Sequence, residues 1–347
     1  MTIFEQLAAL GHEQIVLCSN PDSGYRGIIA VHSTALGPAV GGTRWWTYPT
    51  DDAAITDALR LSRGMSFKNA LARLPLGGGK SVILGRSGSV DRATVLRAHG
   101  RFIERLGGVY ITAEDVGTSP ADMEFIAETT RFVAGRAKVS GDPSPHTARG
   151  VFRAMEAGAW FRWGIDRLAG KTVALQGCGN VGYHLARELA EAGARIVASD
   201  IDAAKLARVV KDFGATEAPS DRIHAAKADI YAPCALGATL NDATIPELQV
   251  ELICGGANNQ LLEPRHGFQL ADRGIVYVPD YVANAGGVIF GGSIEVLKLS
   301  MDDTLRRVDE IYDTVLMVLE RARGDKVPPS EAADRLAEAR IKARTLD

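Results

Sequence analysis

The second half of the chain alternates apolar strands with helices, and this order constrains the fold more than any other feature of the sequence. From Lys171 onward the apolar runs are short and rich in Val, Ile and Tyr. They read KTVALQG, ARIVASD, ADIYAP, ELICGGA and GIVYVPD, with helices through Glu191 and over Ala203–Phe213 after the first two. Because strands that alternate with helices pair in parallel, we predict a doubly wound sheet with helices on both faces.

The turn after the first of these strands carries the pattern G-x-G-x-x-G. The motif consists of Gly177, Cys178, Gly179, Asn180, Val181 and Gly182. The first glycine permits a tight turn, the second lets the backbone approach a pyrophosphate, and the third lets helix and strand pack closely. The N terminus of the following helix adds N–H groups and the positive end of a dipole. The position of this glycine motif between a strand and a helix predicts a dinucleotide site.

Asp200 ends the next strand, twenty-three residues after Gly177. A carboxylate at this position accepts hydrogen bonds from the adenosine ribose and repels a 2′-phosphate, and no arginine follows it immediately. The sequence therefore favours NAD over NADP. The alternative is that Asp200 caps the helix that follows, since Asp also suits that position.

The stretch LPLGGGKSVI, Leu74–Ile83, resembles a phosphate-binding loop at first sight. A Walker A loop needs a glycine where Leu74 stands and a long helix after the lysine. The run from Lys80 to Leu84 is instead short and apolar and ends at Gly85, which predicts a strand. We therefore expect Lys80 to do something other than bind phosphate, and the glycines before it to let the backbone approach a small ligand.

The first part of the chain mixes strands and helices and predicts a separate α/β domain. Its strands are EQIVLCS, YRGIIAVHS, SVILG and VYITAE, and its helices lie near Asp51–Leu71 and Asp91–Leu106. The likeliest boundary is Ser140–Gly150, where two prolines break regular structure and Thr147 can cap the next helix.

The last part, about Met301–Thr345, is a helical segment with Leu, Val and Ile at three- and four-residue spacing. We predict a first α/β domain over residues 1–140, to which the family resemblance described below gives the substrate-binding and oligomerisation roles, and an NAD-binding Rossmann domain over residues 141–324. The helices of residues 325–347 are expected to pack on the first domain.

Length, charge and cysteine usage limit the classes of function. At 347 residues the chain exceeds one typical hydrophobic core, which agrees with two domains. A net charge of −3 without a basic block disfavours nucleic acid and membranes as partners. The N terminus MTIFEQLAAL lacks the features of a signal peptide, so we expect a cytoplasmic protein. The four cysteines and seven histidines are scattered without ligand spacing, and we expect no metal site.

Several ordered motifs resemble the leucine dehydrogenase branch of the glutamate/leucine/phenylalanine/valine dehydrogenases. They are LGPAVGGTR at Leu36–Arg44, MSFKNALARLPLGGGKSVI at Met65–Ile83, YITAEDVGTSPADM at Tyr110–Met123, DIYAPCALGATLND at Asp229–Asp242, GGANNQL at Gly255–Leu261 and PDYVANAGGVI at Pro279–Ile289. The resemblance extends over essentially the whole chain. It implies reversible oxidative deamination, in which an L-amino acid, water and NAD give a 2-oxo acid, ammonia and NADH.

The same resemblance implies roles for individual residues. Lys68 holds the substrate carboxylate, Lys80 acts as the general base on the attacking water, and Asp115 exchanges protons with the nitrogen. Burial and the nearby ammonium of Lys68 would lower the pKa of Lys80 from about 10.4 and make it a base near neutral pH. Glu114, beside Asp115, is expected to be structural.

Further matches surround the cofactor and the substrate. Thr147 matches a residue near the nicotinamide, and Asn258 and Asn284 match asparagines that line the cofactor and substrate cleft. Gly41 and Gly42 match positions where the backbone approaches the substrate carboxylate.

The substrate side chain is expected to be apolar. Val40 stands where glutamate-specific members carry a lysine, so a second carboxylate would be buried without a partner. Ala113, Val288 and Gly291 match other positions of the side-chain pocket. Val40 and Gly291 are smaller than the leucine and valine of leucine dehydrogenases, and Phe290–Leu299 is the least family-like stretch. Branched-chain amino acids are therefore favoured, with phenylalanine or tryptophan as the alternative and Phe290 as a group that could refill the space.

Two more distant alternatives remain at this point. The chain could be another Rossmann dehydrogenase, such as a methylene-tetrahydrofolate type, or a non-catalytic NAD-binding protein. The resemblance also implies a homo-oligomer, a dimer or an octamer, formed through the first domain.

Overall fold

Two separate β-sheets organise the chain in the computed structural model, which describes residues 2–85, 91–136 and 141–346. The chain divides into two compact units, each built on one sheet. Unit 1 comprises Met1–Asp142, Gly291–Leu299 and Ala337–Asp347, and unit 2 comprises Pro143–Phe290 and Ser300–Leu336. The sequence-based boundary at residue 140 lies outside the described residues.

Unit 1 contains a mixed five-stranded sheet with the order β1-β2-β4-β3-β5. The strands are β1 (Gln14–Asn20), β2 (Tyr25–Ser33), β3 (Ala39–Trp46), β4 (Gly77–Leu84) and β5 (Tyr110–Glu114). The helices are α1 (Ile3–Leu10), α2 (Asp51–Leu71), α3 (Arg92–Arg105) and α4 (Pro120–Ala127). The first two pairings, β1 with β2 and β2 with β4, are antiparallel, whereas β3 pairs in parallel with both β4 and β5.

Helices cover both faces of this sheet. One face packs on α2 through a small cluster that includes Ala54, Leu59 and Val82. The other face packs on α3 and α4 through a larger cluster around Leu96 and Tyr110. Helix α2 begins where Thr50 accepts a hydrogen bond from the N–H of Ala53, and two aspartates occupy its first turn next to the positive end of the dipole. The side chains of one central strand therefore alternate between an α2 face and an α3 face.

Strand β3 was not predicted from the sequence, although it lies between β4 and β5. Its two glycines, Gly41 and Gly42, weaken the β signal because Gly has no side chain to pack in a sheet. The structure gives the reason for them. A Cβ on Gly41 would lie 1.8 Å from the carbonyl oxygen of Gly79, and one on Gly42 would lie 2.2 Å from that of Glu114. Only glycine permits this approach of neighbouring backbones.

Unit 2 contains a six-stranded parallel sheet with the order β11-β10-β9-β6-β7-β8. The strands are β6 (Thr172–Gln176), β7 (Arg195–Ser199), β8 (Thr216–Glu217), β9 (Ile230–Pro233), β10 (Leu252–Ile253) and β11 (Val276–Tyr277). The helices are α5 (Ser144–Trp163), α6 (Asn180–Glu191), α7 (Ala203–Phe213), α8 (Arg265–Asp272), α9 (Asp280–Ala283), α10 (Gly286–Gly291), α11 (Met301–Asp309), α12 (Ile311–Asp325) and α13 (Pro329–Ala343). The strand order reverses between β6 and β9, as in the dinucleotide-binding doubly wound fold. The predicted fold class is confirmed.

Helix α5 begins earlier than the sequence suggested. Its first residue is Ser144, so Thr147 lies inside the first turn, and its hydroxyl donates to the carbonyl oxygen of Pro143. The expectation that Thr147 caps this helix was wrong, because the helix already begins three residues earlier. Pro145 fits its first turn, where a missing N–H costs nothing. Gly286 and Gly287 pack against this turn so closely that a Cβ would meet His146 or Thr147.

The C-terminal helices contribute to both units. In unit 1, the guanidinium of Arg340 is buried and donates to the carbonyl oxygen of Ala70 at the end of α2. In unit 2, the hydroxyl of Tyr281 donates to Asp334. Within the described ranges, no helix is both long and apolar enough to cross a membrane.

Candidate active site

Lys80 is a buried cation in the centre of the unit 1 sheet. It lies on β4, points to the α2 face, and is only 4% exposed. Its Nζ is 2.8 Å from Oδ1 of Asp115, which follows the end of β5. The structure therefore brings together the two residues that the sequence predicted to be catalytic.

The glycines before Lys80 have a packing role in this unit. A Cβ on Gly78 would lie 2.0 Å from the backbone nitrogen of Ser66 on α2, and one on Gly79 would lie 2.6 Å from the ring of Tyr110. The expectation that these glycines make room for a ligand is corrected, because the atoms close to them belong to α2 and β5. Gly78 lets α2 lie against the strand next to Lys80, and Gly79 makes room for the ring of Tyr110.

Asp115 is held between two cations. Its Oδ1 faces Lys80, and its Oδ2 accepts a hydrogen bond of 2.9 Å from Nε of Arg44 on β3. Arg44 in turn donates from Nη1 to Oδ2 of Asp57 on α2 at 2.8 Å. The hydroxyl of Tyr48 also donates to Asp57, at 2.6 Å. The result is a chain of alternating charges that begins at Lys80 and ends on α2.

This arrangement lowers the pKa of Lys80 and of Asp115. Burial lowers the pKa of Lys80 from its usual 10.5, Asp115 opposes this effect, and the charge of Arg44 adds to it. Burial alone would raise the pKa of Asp115, but Lys80 and Arg44 hold it below its usual value. The pair suits a lysine that must lose its proton and a carboxylate that stays ionised beside it.

Lys68 is half-buried in the last turn of α2. It was expected to supply the second positive charge near Lys80. A cation that the sequence did not predict, Arg44, contacts the carboxylate of the pair. Sequence reasoning assigned no role to Arg44, Asp57 or Tyr48. One available signal was that Arg44 lies two residues after Gly42 on the same strand, so the two point to the same face.

The expected substrate positions of unit 1 lie on adjacent strands beside this pair. Val40 pairs with Gly78 and with Ile111, and Gly42 pairs with Ala113. A Cβ on Gly42 would lie 2.8 Å from the Cβ of Asp115, so this backbone runs alongside the carboxylate. Val40 is buried, whereas Ala113 is partly exposed.

Gly291 begins the segment of residues 291–299 in unit 1. A Cβ on it would meet no atom within 4 Å, so the described structure leaves open space there. The five residues that follow, Gly292–Val296, form a π-helical turn, and π turns are frequent at functional sites. Within this turn Glu295 is buried and accepts a hydrogen bond of 2.9 Å from the N–H of Gly135.

The glycine motif of unit 2 has the geometry of a phosphate cradle. Gly177 has φ of +97°, which an L side chain rarely adopts, and it makes the turn out of β6. A Cβ on Gly182 would lie 2.0 Å from the carbonyl oxygen of Gly177, so helix and loop are in close contact. Gly179, the N-cap residue of α6, has open space where its Cβ would be. That space, at the N terminus of a helix, fits a pyrophosphate.

Asp200 lies at the carboxyl end of β7, next to this cradle. Its Oδ2 accepts the N–H of Cys178 at 2.6 Å, and its Oδ1 accepts the N–H of Asp202 at 2.8 Å. The residue that caps α7 is Asp202, which accepts N–H bonds from Ala204 and Lys205. The alternative that Asp200 is the helix cap was therefore wrong.

The other expected cofactor residues of unit 2 cluster beyond the cradle. The amide nitrogen of Asn284 donates to Oδ1 of Asn258 at 2.7 Å and to the carbonyl oxygen of Gly256 at 3.2 Å. A Cβ on Gly256 would in turn lie 2.9 Å from the side chain of Val181 in the glycine motif. Thr147 lies beside Gly287, and Val288 is half-buried on the same helix. Phe290 stacks on His146 with ring centres 3.7 Å apart.

Comparison with known proteins agrees with both halves of this arrangement. Residues 12–132 match the model of the Glu/Leu/Phe/Val dehydrogenase dimerisation domain. Residues 141–208 and 199–311 match the model of the glutamate/leucine/phenylalanine/valine dehydrogenases.

Individual relatives cover nearly the whole chain. It is 50% identical to leucine dehydrogenase of Bacillus subtilis over 99% of its length and 94% of that protein. It is 46% identical to valine dehydrogenase of Streptomyces coelicolor over 95% of its length and 92% of that protein. Among solved structures, L-tryptophan dehydrogenase from Nostoc punctiforme superposes with a TM-score of 0.90 at 42% identity, with 99% of each chain covered.

The resemblance predicted from the motifs is thereby confirmed. The matches therefore argue against the two more distant alternatives, another type of Rossmann dehydrogenase and a non-catalytic NAD-binding protein. The chain belongs to the glutamate/leucine/phenylalanine/valine dehydrogenase family and is an amino-acid dehydrogenase, an oxidoreductase whose nucleotide-binding domain is consistent with a nicotinamide cofactor.

Proposed function

We propose that this chain catalyses the reversible, NAD-dependent oxidative deamination of an apolar L-amino acid of the leucine, valine or isoleucine type. The products are the 2-oxo acid, ammonia, NADH and a proton. The observation that carries the proposal is the buried contact of 2.8 Å between Lys80 and Asp115, in a chain whose other unit has a dinucleotide-binding fold. A buried lysine with a lowered pKa beside a carboxylate is a feature of catalytic sites.

In this mechanism each side chain of unit 1 has a separate task. The ammonium of Lys68 binds the substrate carboxylate, with the backbone of Gly41 and Gly42 beside it. Neutral Lys80 takes a proton from the water that attacks the imine carbon, and the resulting carbinolamine collapses to the 2-oxo acid and ammonia. The ionised carboxylate of Asp115 takes a proton from the substrate ammonium before hydride transfer and returns it to the nitrogen as ammonia departs, and the reverse reaction uses the same exchange in the opposite order. Burial supports the role of Lys80, because it favours the uncharged amine.

The residues of unit 2 hold and orient the cofactor. The loop Gly177–Gly182 and the N terminus of α6 bind the pyrophosphate, and Asp200 binds the adenosine ribose. Thr147, Asn258 and Asn284 position the nicotinamide end. A nicotinamide held there would supply the hydride acceptor for deamination and the hydride donor for the reverse reaction. NAD is preferred because the carboxylate of Asp200 repels a 2′-phosphate.

We assign the substrate side chain to Val40, Ala113 and Gly291 of unit 1, and Val288 of unit 2 is a further apolar residue that the family resemblance assigns to it. A glutamate side chain would place a second carboxylate against these residues without a partner, which costs several kcal/mol in an apolar site. The leucine and valine dehydrogenases at 46–50% identity support a branched-chain substrate.

One observation favours a second candidate, an aromatic amino acid. Gly291 leaves open space, and a solved relative of 42% identity is an L-tryptophan dehydrogenase. An aromatic ring would fill space that a valine at position 291 would occupy.

The test is the loss of NADH absorbance with ammonia and a panel of 2-oxo acids. The panel contains 4-methyl-2-oxopentanoate, 3-methyl-2-oxobutanoate, phenylpyruvate, indolepyruvate and 2-oxoglutarate. We expect the highest kcat/KM with the branched-chain acids; no turnover with any of them would refute the proposal. The variant Gly291→Val should lower activity with the aromatic acids more than with 3-methyl-2-oxobutanoate. Preference for 2-oxoglutarate would contradict the role given to Val40.

We also propose a cytoplasmic homo-oligomer that assembles through unit 1, either a dimer or an octamer. The support is that residues 12–132 match a domain described as a dimerisation domain. Light scattering of the purified protein distinguishes a monomer, a dimer and an octamer.

A further inference from the structure

We propose that Arg44 and Asp57 form a positioning pair that fixes Asp115 against Lys80 and controls the charge state of Lys80. The inference rests on the proposed function and adds two residues to it. Neither residue needs to touch the substrate, since Arg44 acts through Asp115 and Asp57 acts through Arg44.

The geometry of Asp115 supports this role. Its carboxylate uses one oxygen for Lys80 at 2.8 Å and the other for Nε of Arg44 at 2.9 Å. A carboxylate in a loop after a strand can rotate about its side-chain bonds, but two contacts on opposite oxygens fix one orientation. Arg44 thus keeps Oδ1 directed at the lysine.

Asp57 fixes Arg44 in the same way. The guanidinium of Arg44 uses Nε for Asp115 and Nη1 for Asp57, which is the forked geometry in which arginine binds two acceptors. Asp57 is itself held by the hydroxyl of Tyr48 at 2.6 Å and by Arg60 at 3.3 Å. It is on α2, so this chain of contacts ties the loop after β5 to the helix that carries Lys68.

The two residues act on Lys80 with opposite signs. The positive charge of Arg44 lowers the pKa of Lys80, and the negative charge of Asp57 raises it. The side chains of Arg44, Asp57 and Asp115 are 15–21% exposed, so solvent screens these charges less than at an open surface. Other titratable and charged groups that face this chain of contacts within the described residues include Arg60 on α2, Tyr48 after β3, and Tyr110 and Glu114 on β5, and Lys68 lies in the last turn of the same α2.

The opposite signs separate a positioning role from a merely structural one. Loss of a structural contact would lower activity in either variant without a predictable displacement of the pH profile. Loss of Arg44 should raise the pKa of Lys80, whereas loss of Asp57 should lower it further.

The experiment compares Arg44→Gln, Asp57→Asn, the double variant and Arg44→Lys in the full-length protein. The pH dependence of kcat for oxidative deamination has an acid limb that rises as Lys80 loses its proton. We expect Arg44→Gln to move this limb to higher pH and Asp57→Asn to move it to lower pH, each by roughly half to one and a half pH units. The double variant should return toward the wild type. In Arg44→Lys the acid limb should stay near the pH of the wild type, because the positive charge is kept. Its kcat should be lower, because one ammonium does not reproduce the paired contacts of the guanidinium with Asp115 and Asp57.

A second readout does not depend on catalysis. The rate at which acetic anhydride modifies Lys80, followed by mass spectrometry across pH, reports the loss of its proton, with exposed Lys342 as the internal reference. In each variant the labelling midpoint should move along the pH scale in the same direction and by a similar amount as the acid limb of kcat. If the wild type turns over no substrate, the proposed function fails, and the labelling still tests the charge effect.

Two results would overturn the inference. Arg44→Gln and Asp57→Asn could move the pKa of Lys80 in the same direction, or neither variant could move it. If Arg44→Gln does not fold, Asp57→Asn and Arg44→Lys decide the question. In that case the labelling midpoint of Asp57→Asn must fall below that of the wild type.

Discussion

The two units carry their candidate chemistry in different kinds of group. In unit 1 it resides in charged side chains, with Lys80, Asp115 and Arg44 in direct contact and largely removed from water. In unit 2 it resides in backbone, at the turn of Gly177–Gly182 and the N terminus of α6, with neutral asparagines beyond it. The contrast indicates that unit 1 depends on which groups carry protons, whereas unit 2 depends on which positions carry no side chain.

This difference predicts different failures on substitution. A change in unit 1 should alter rate and pH dependence while leaving cofactor affinity intact. A change in unit 2 should alter cofactor affinity or folding while leaving the pH dependence of chemistry intact.

The largest expected effect is that of Lys80→Ala. Removal of a general base lowers turnover by about 10²–10⁴-fold, and here it also leaves Asp115 partly buried with Arg44 as its remaining contact. NADH affinity, measured by fluorescence titration, should stay within about twofold of the wild type because unit 2 is untouched.

The matched control is Lys342→Ala, an exposed lysine of the same unit. It should leave both turnover and NADH affinity unchanged. Equal loss of turnover and of NADH affinity in Lys80→Ala would show that the lysine is structural or directed at the cofactor, and the contrast between the units would not hold.

A pair of glycine variants tests the backbone chemistry of unit 2. A Cβ on Gly182 collides with the carbonyl of Gly177, so Gly182→Ala should destabilise the fold by about 1–3 kcal/mol. Gly179→Ala has room for its Cβ and should change stability by less than about 0.5 kcal/mol. It should nevertheless weaken NADH binding by about tenfold or more, which corresponds to about 1.4 kcal/mol, because the methyl occupies the space of the pyrophosphate.

Thermal unfolding and fluorescence titration measure the two quantities on the same samples. Normal NADH affinity in Gly179→Ala would place the phosphates elsewhere. Unchanged stability in Gly182→Ala would mean that the loop relaxes easily.

The same contrast explains which features could be predicted from the sequence. The glycine motif and its flanking strand and helix are local in the chain, so pattern and spacing located them. At Lys80 the broken Walker spacing and the strand-like run after the lysine only excluded a phosphate loop, and its catalytic role came from the family resemblance. The contacts of Arg44 with Asp115 and Asp57 could not be found from pattern and spacing, because these residues meet only when β3, the end of β5 and α2 pack together.

Strand β3 illustrates the limit most clearly. Its glycines lower the local β signal, and their reason is a neighbouring backbone that approaches within 2–3 Å of the missing Cβ atoms. The role of Gly78 was likewise misjudged, because Ser66 of α2, which fills the space beside it, is twelve residues away along the chain. Contacts of this kind are a property of tertiary structure.

A smaller effect is expected for substitution of Asp200, a charged residue beside the glycine motif of unit 2. Asp200→Ala removes the ribose acceptor and also the acceptor for the N–H groups of Cys178 and Asp202. We expect about tenfold weaker NAD binding, in line with the loss of a hydrogen bond to a charged group, and weaker discrimination against NADP. Kd values for both cofactors measure this. Asp202→Ala, which removes only the cap of α7, should lower stability without changing the NAD to NADP ratio. An unchanged ratio in Asp200→Ala would show that its role is confined to the loop.

The last prediction concerns the pH dependence of stability, and it extends the contrast to the core of unit 1. His99 is fully buried, and its ring lies within hydrogen-bond distance of Tyr25 at 2.8 Å and of Thr43 at 2.9 Å. Burial lowers the pKa of His99 from 6.5 to about 3. The unfolded chain therefore binds a proton that the folded chain excludes, and the free energy of unfolding falls as the pH drops from about 6.5 toward about 3.

The slope of this fall is at most about 1.4 kcal/mol per pH unit for one group. In His99→Gln the stability of unit 1 should be lower at pH 7 but should depend less on pH between 4.5 and 6.5, as followed by urea unfolding. Some slope should remain, because burial also lowers the pKa of His32, to about 4. Tyr25→Phe is the matched control, since it removes one partner of His99 but keeps the ring buried, and it should retain the slope. If His99→Gln kept the full slope, the pH dependence of unit 1 would have to come from other groups, and its buried charges rather than its buried neutral histidine would govern acid stability.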